Sequence, residues 1–211
     1  MIFETIGKII ISFSNKINAL KSIYIKSQLA HCGNNVCFVY PLHCDKPQNI
    51  YLYDNTNIYA GFDFISHTGK FIMKKNSGAA QGLTVITGNH YRNRGVLFKT
   101  SMHNRSNDIE RDIIVEEDVW IGANVTLLDG SHIGRGATIG AGSVVRSNIP
   151  PYAVVIGNPA RIIGFNFTPE EIIEHEKMIY PEEERIRLDL LQKNYKKYYL
   201  NKIDSIVQYL K

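Results

Sequence analysis

A register of six residues constrains this chain more than any other feature. From Val115 onward the aliphatics Val115, Ile121, Leu127, Ile133, Ile139 and Val145 fall six apart without a miss. Two positions before each stands a β-branched or small residue: Ile113, Val119, Val125, Ser131, Ala137 and Ser143. Gly122, Gly134 and Gly140 directly follow three of the aliphatics. A fixed period of this length belongs to a parallel β-helix. Three short strands make one triangular coil. The aliphatic points inward and stacks on its copy one coil below. The small residue sits near a corner, where volume is scarce, and glycine frees the backbone at the turn. One coil cannot bury its inner face alone, so coils stack.

An earlier stretch fits the same template less regularly: Leu52, Ile58 and Phe64, then Met73, Ala79 and Val85. The change of register between Phe64 and Met73 predicts a small insertion at a corner. Residues 90–112 break the pattern and read as a loop projecting from one coil, and long loops in compact repeats usually carry function. Residues 1–30 carry Ile6, Ile9, Ile10, Phe13, Ile17, Leu20 and Tyr24 at spacings of three and four, an amphipathic helix pattern. After residue 164 the period is helical again. Thr168-Pro169-Glu170-Glu171 is a capping box with proline at the first helical position. Pro181 ends that helix. Leu188, Leu191, Tyr195, Tyr199, Ile203, Ile206 and Leu210 then predict one long final helix. The expected organisation is a helical segment over 1–30, a β-helix over 31–164 and a helical extension over 165–211.

Composition removes several functions. A formal charge of +4 does not form the basic stripe of a nucleic-acid binder, though it suits an anionic ligand. Cys32, Cys37 and Cys44 are odd in number and cluster early, which argues against a disulfide framework and for a reducing compartment. With His31 and His43 they lack the spacing of a zinc site, so no metal is expected. No segment approaches the ~18 apolar residues of a membrane span. The run at Ile9-Ile10-Ile11 is too short for a secretion signal, and the expected location is the cytoplasm.

Two stretches carry a family resemblance. Val119-Trp120-Ile121-Gly122-Ala123-Asn124-Val125, followed by the run from Ile133 to Val145, resembles the hexapeptide acyltransferases. The segment Ile149-Pro150-Pro151-Tyr152 to Gly157-Asn158-Pro159-Ala160-Arg161 resembles the end of the β-helix in maltose, galactoside and polysaccharide O-acetyltransferases. The resemblance covers roughly residues 31–164. It implies a left-handed coil, against the usual right-handed crossover rule. It also implies a homotrimer with sites between subunits, and acetyl-CoA as co-substrate.

Acetyl transfer to a hydroxyl needs a base, donors for the tetrahedral oxyanion, and two substrates held in line. Histidine is the natural base near neutrality. His90, in Thr87-Gly88-Asn89-His90 at the entrance to the long loop, resembles the family's catalytic histidine in position and motif. His103 and His67 are candidates for lining the acceptor site. His132 is expected to face outward. His31, His43 and His175 read as structural or solvated. By motif, Ala123, Ala141, Arg146, Ser147 and Arg161 fall at positions that contact coenzyme A in the family, and Trp120 either lies against it or packs as an ordinary aromatic. Family members often have lysine where Ser147 stands. The acceptor contacts of galactoside members match poorly here, and Asp63 is the candidate sugar contact. Gly157-Asn158-Pro159 reads as a turn shaping the cofactor's exit.

These readings converge on direct acetyl transfer from acetyl-CoA to a sugar hydroxyl, such as that of a surface polysaccharide. The tail after Phe165-Asn166-Phe167 resembles that of polysaccharide-modifying members more than antibiotic-inactivating ones. N-acetylation of an amino sugar or an antibiotic uses the same donor and base, and a non-catalytic trimeric scaffold is a third reading. Lys193, Lys196, Lys197 and Lys202, interleaved with Tyr195, Tyr198 and Tyr199, suit either a peripheral anionic membrane contact or a solvated helix face.

Overall fold

The computed structural model describes residues 2–102 and 108–211. Short parallel strands form three faces. The first face runs His31–Cys32, Ile50–Leu52, Phe71–Met73, Ile113–Val115 and His132–Ile133. The second runs Cys37–Phe38, Asn57–Ile58, Gly78–Ala79, Trp120–Ile121, Thr138–Ile139 and Ala153–Ile156, and ends on the antiparallel strand Arg161–Phe165. The third runs Leu42–Cys44, Phe62–Ile65, Thr84–Ile86, Thr126–Leu128 and Val144–Val145. The chain visits the faces in rotation, so each five-stranded face counts five full coils, and Ile149 opens a sixth by bridging to Ile133.

The six-residue register folds into three inward rows. Leu52, Met73, Val115 and Ile133 align on the first face. Ile58, Ala79, Ile121, Ile139 and Val155 align on the second. Phe64, Val85, Leu127 and Val145 align on the third. All are fully buried, as are Ser131, Ala137 and Ser143 in the small-residue positions. The early coils are less regular because aromatics fill them. Phe62 meets Phe38 at 5.3 Å and Phe71 at 5.9 Å between ring centroids.

Corners need backbone that turns sharply. Asn35, Asn55, Asn76, Asp118 and Asn124 adopt positive φ there, a region Asn and Asp tolerate best among non-glycine residues. Three of them form a ladder, with the Asn35 and Asn55 amides each donating at 3.1 Å to the next asparagine up the stack. Gly136 has φ +67, and a Cβ there would lie 2.4 Å from the Tyr152 ring, so conformation and space both require glycine.

The expected corner insertion lies at residues 66–70, where the chain passes from Phe62–Ile65 to Phe71–Met73. The projecting loop starts on an antiparallel stem, Gly88–Asn89 with Ile109–Glu110, and carries the short helix Phe98–Ser101.

Helix α1, Ile2–Lys26, precedes the coils. Its apolar residues Phe3, Ile6, Ile10, Phe13 and Leu20 are exposed in the single chain. Its C-terminal part touches the body: Lys21 Nζ lies 4.7 Å from the Tyr40 ring, Ser22 Oγ accepts from the Tyr40 N–H at 3.0 Å, Ile25 packs on the core, and Lys26 Nζ donates to the Val36 carbonyl at 2.8 Å. Among the described residues no helix is long and apolar enough to cross a membrane.

Numbering the remaining long helices in order, α2 is Pro169–Ile179, α3 Leu188–Tyr198 and α4 Ile203–Leu210. Thr168 and Glu171 form the expected capping box. The single long final helix is corrected: Tyr199 leaves helical backbone at φ −121, ψ −70, and a short turn at Leu200–Lys202 separates α3 from α4. The break lets both halves pack. Leu191 is buried and Tyr195 meets Phe165 at 5.3 Å, while α4 buries Ile206.

A buried polar cluster fastens this tail. Glu176 is fully buried; it accepts from the Tyr152 hydroxyl at 3.1 Å and the Ile186 N–H at 2.5 Å. Arg135 Nη1 lies 3.5 Å from the same carboxylate and its guanidinium sits 4.1 Å from the Tyr180 ring.

Candidate active site

His90 leaves the end of the Gly88–Asn89 strand, and Asp108 precedes the partner strand Ile109–Glu110. The antiparallel stem therefore sets the two side by side. His90 Nδ1 lies 3.1 Å from Asp108 Oδ2, and the other carboxylate oxygen accepts from the Tyr91 N–H at 2.7 Å. An ionised carboxylate only accepts. Nδ1 is thus the donor, and in the neutral imidazole Nε2 keeps its lone pair for another partner. The His90 side chain is 32% exposed and Asp108 only 12%, so the carboxylate is sheltered while the ring opens outward. Phe98 from the loop meets the ring edge-on at 6.1 Å. Asn89, His90, Tyr91, Arg92, Ile109, Arg111 and Asp129 line a hollow of about 370 Å³. Arg111 is tied to Asp129, with Nε at 2.9 Å.

Glu110 braces the same stem against the corner insertion. Its carboxylate accepts from the backbone N–H groups of His67, Thr68 and Gly69 at 3.1, 2.7 and 2.6 Å, and from the Thr87 hydroxyl at 3.1 Å. Desolvation is the largest single influence and pushes its pKa up, but these donors together outweigh it and hold the carboxyl below its ordinary value. The corner backbone at His67 is therefore fixed beside the loop, with the residue itself exposed. His103 lies outside the described residues.

Asp63 sits on the outer side of the third face and accepts from His43 Nδ1 at 2.8 Å; His43 Nε2 lies 3.4 Å from Asp45. The hydrogen bond to Asp63 is the main cause of a raised His43 pKa. Asp63 is thus engaged with His43 rather than with His90. Burial, with Asp63 and Asp45 adding, pushes the neighbouring Cys44 thiol up to about 12. The three cysteines are free, and among the described residues no group of His, Cys, Asp or Glu is arranged to hold a metal ion. His132 faces outward as expected, with Nε2 2.6 Å from Glu116.

The other expected site residues lie in three places. Trp120, 48% exposed, lies on the outer side of the second face, and Ala123 and Ala141 lie at the turns from the second face to the third. Arg146 and Ser147 lie at the turn from the third face to the first, the same corner from which His90 projects two coils earlier. Arg161 begins the closing strand, beyond a turn whose Asn158–Pro159 bond is cis. At about 3.3 Å per strand residue, one face separates the two corners of a single chain by roughly 16 Å.

A family model, the bacterial transferase hexapeptide of six repeats, matches residues 112–147. A putative acetyltransferase of Saccharomyces cerevisiae is 31% identical over 146 residues, 68% of this chain and 69% of its own length. The chain belongs to the hexapeptide-repeat acetyltransferases. A probable macrolide acetyltransferase of Lysinibacillus sphaericus is 32% identical over 142 residues, covering 62% of this chain and 76% of that protein. Among solved structures, a hexapeptide-repeat acetyltransferase of Vibrio cholerae complexed with acetyl coenzyme A is 26% identical, with TM-score 0.60 over 70% of this chain and 76% of that one. A maltose O-acetyltransferase of Clostridium difficile is 25% identical, with TM-score 0.58 over 65% and 70% of the two chains. The coil of this acetyltransferase is accordingly left-handed. Each of these four likenesses leaves 30% or more of the acetyltransferase outside it. Asp108 is the site residue that sequence reasoning missed: nothing in its local motif separates it from other loop acids, and only the strand pairing of the stem brings it to His90.

Proposed function

We propose that this acetyltransferase moves an acetyl group from acetyl-CoA to a sugar hydroxyl of a surface polysaccharide, by direct transfer with His90 as general base. The observation that carries the reading is the His90–Asp108 pair at the mouth of the hollow. Asp108 holds the ring in the tautomer with Nε2 unprotonated, and the imidazolium formed on proton uptake gains a carboxylate partner. In the transfer step Nε2 takes the hydroxyl proton as the sugar oxygen attacks the thioester carbonyl. The carbon–sulfur bond breaks, the proton passes to the departing thiolate, and the products are the O-acetyl sugar and coenzyme A. No acyl-enzyme is required, and the three cysteines all lie in the first coil, away from His90.

Acetyl-CoA suits the residues present. The exposed cations Arg146 and Arg161 suit its phosphates, and exposed Trp120 offers a flat apolar face. A homotrimer explains the division of the donor residues, because a neighbour's second-to-third corner can supply Ala123 and Ala141 opposite His90. The maltose O-acetyltransferase likeness supports a sugar acceptor, with Asp63 as its proposed contact. Unpaired thiols suit the cytoplasm, where the donor is made.

The test is release of free thiol from acetyl-CoA across a panel of sugars, amino sugars and a macrolide. A sugar hydroxyl is the expected acceptor, and His90→Ala should lose the ~10²–10⁴-fold that a positioned base supplies. Turnover that survives His90→Ala overturns the mechanism. A radiolabelled acetyl group retained on the protein after donor alone overturns direct transfer, and turnover only with amines or the macrolide overturns the acceptor.

A further inference from the structure

A cavity of about 490 Å³ lies between the last coil and the helical tail. Its polar lining comes from Ser147, Asn148 and Arg161 at the end of the coil and from Tyr198, Lys202, Ser205 and Tyr209 on the tail. No Asp or Glu is among the lining residues. Two cations and several hydroxyls converging without a carboxylate make a cavity for an anion.

The tail is built to fit this place. Gly157 has φ +96, and a Cβ there would meet the Tyr209 hydroxyl, so α4 seats against a turn that favours glycine. Tyr209 in turn backs the Arg161 guanidinium at 4.8 Å. The break at Tyr199 is what places Lys202 at the cavity, on the short turn Leu200–Lys202.

The cavity also stands in line with His90. Ser147 is at the corner from which His90 projects two coils below. Neighbouring strands are about 4.8 Å apart, so roughly 10 Å of coil edge joins the two. A substrate with its thioester at His90 and its arm along this edge delivers its phosphates to the cavity.

We infer that Lys202, carried by the helical tail rather than by the coil, binds a phosphate of the donor nucleotide together with Arg161. This rests on the donor reading above. The tail is then part of the donor site, and the lysine it contributes lines the same cavity as Ser147.

The test is calorimetric titration of the full-length protein with coenzyme A and, separately, with inorganic pyrophosphate. Lys202→Met should weaken coenzyme A binding by about tenfold, the size of one charge-assisted hydrogen bond. Ser147→Lys in the Lys202→Met background should restore most of it, because the charge returns to the same cavity; a merely structural role for Lys202 would not be rescued. Unchanged affinity in Lys202→Met, or a loss that Ser147→Lys does not repair, overturns the inference. If the wild-type chain binds no coenzyme A, the donor reading fails by itself. Pyrophosphate binding that Lys202→Met weakens would then still support the anion cavity, and pyrophosphate binding that it leaves unchanged would sink that too.

Discussion

His90 and Asp108 stand 18 residues apart and meet only because a two-residue stem pairs the loop's ends. Removing the carboxylate should unfix the ring without emptying the hollow. Asp108→Ala is therefore expected to lose part of the ~10²–10⁴-fold of a positioned base in kcat, with the KM for acetyl-CoA nearly unchanged. An equal rise in KM would assign Asp108 to binding instead. Glu176 gives a contrasting case, remote from the hollow. Glu176→Ala takes the acceptor from the Tyr152 hydroxyl and the Ile186 N–H while Arg135 keeps Glu117, and a buried donor left unsatisfied costs about 1–3 kcal/mol. Thermal melting should show it as a large fall in midpoint. The place of His90 at the loop entrance was legible from its motif; its role as base is the proposal under test. Asp108 and Glu176 were not legible, since a carboxylate's value here depends on a partner brought from far along the chain.

At the level of elements, Glu110 makes the loop stem sensitive to acid. Its folded pKa is depressed, so its contribution is complete above the ordinary glutamate value of about 4.3. It is lost as pH falls from there through the lowered folded value. Hydrogen exchange of Gly88–Asn89 and Ile109–Glu110 should accelerate below about pH 4 beyond the global trend. Glu110→Gln should show the faster exchange already at neutral pH and lose that extra acid response. Gly136→Ala must shift either Tyr152 or its own φ, and a loss of several degrees in melting midpoint is expected. The amphipathic pattern predicted the helical ends correctly as helices. It could not show the break at Tyr199, because Leu188 to Leu210 keep an apolar stripe that two packed helices satisfy as well as one. Likewise the corner asparagines escaped notice: their value lies in left-handed backbone, which hydrophobic spacing does not record.

For the whole molecule, the stack is a one-dimensional object whose middle is held from both sides. Leu127 lies between Val85 and Val145, fully buried, and Leu127→Ala should cost about 2–5 kcal/mol. Shortening Leu42, half-buried in the first coil with Phe62 on one side alone, should cost clearly less in chemical unfolding. The same order of stacking bears on how the coil begins. Thr56, one coil up from Val36, gives its carbonyl to the Cys37 N–H beneath it. Val36 has no coil beneath, and the Lys26 ammonium takes that place. Helix α1 thus acts as a stopper on an otherwise extendable sheet. Without it the Val36 carbonyl would stand open to any strand that met the rim of the first coil, and two chains could pair there edge to edge.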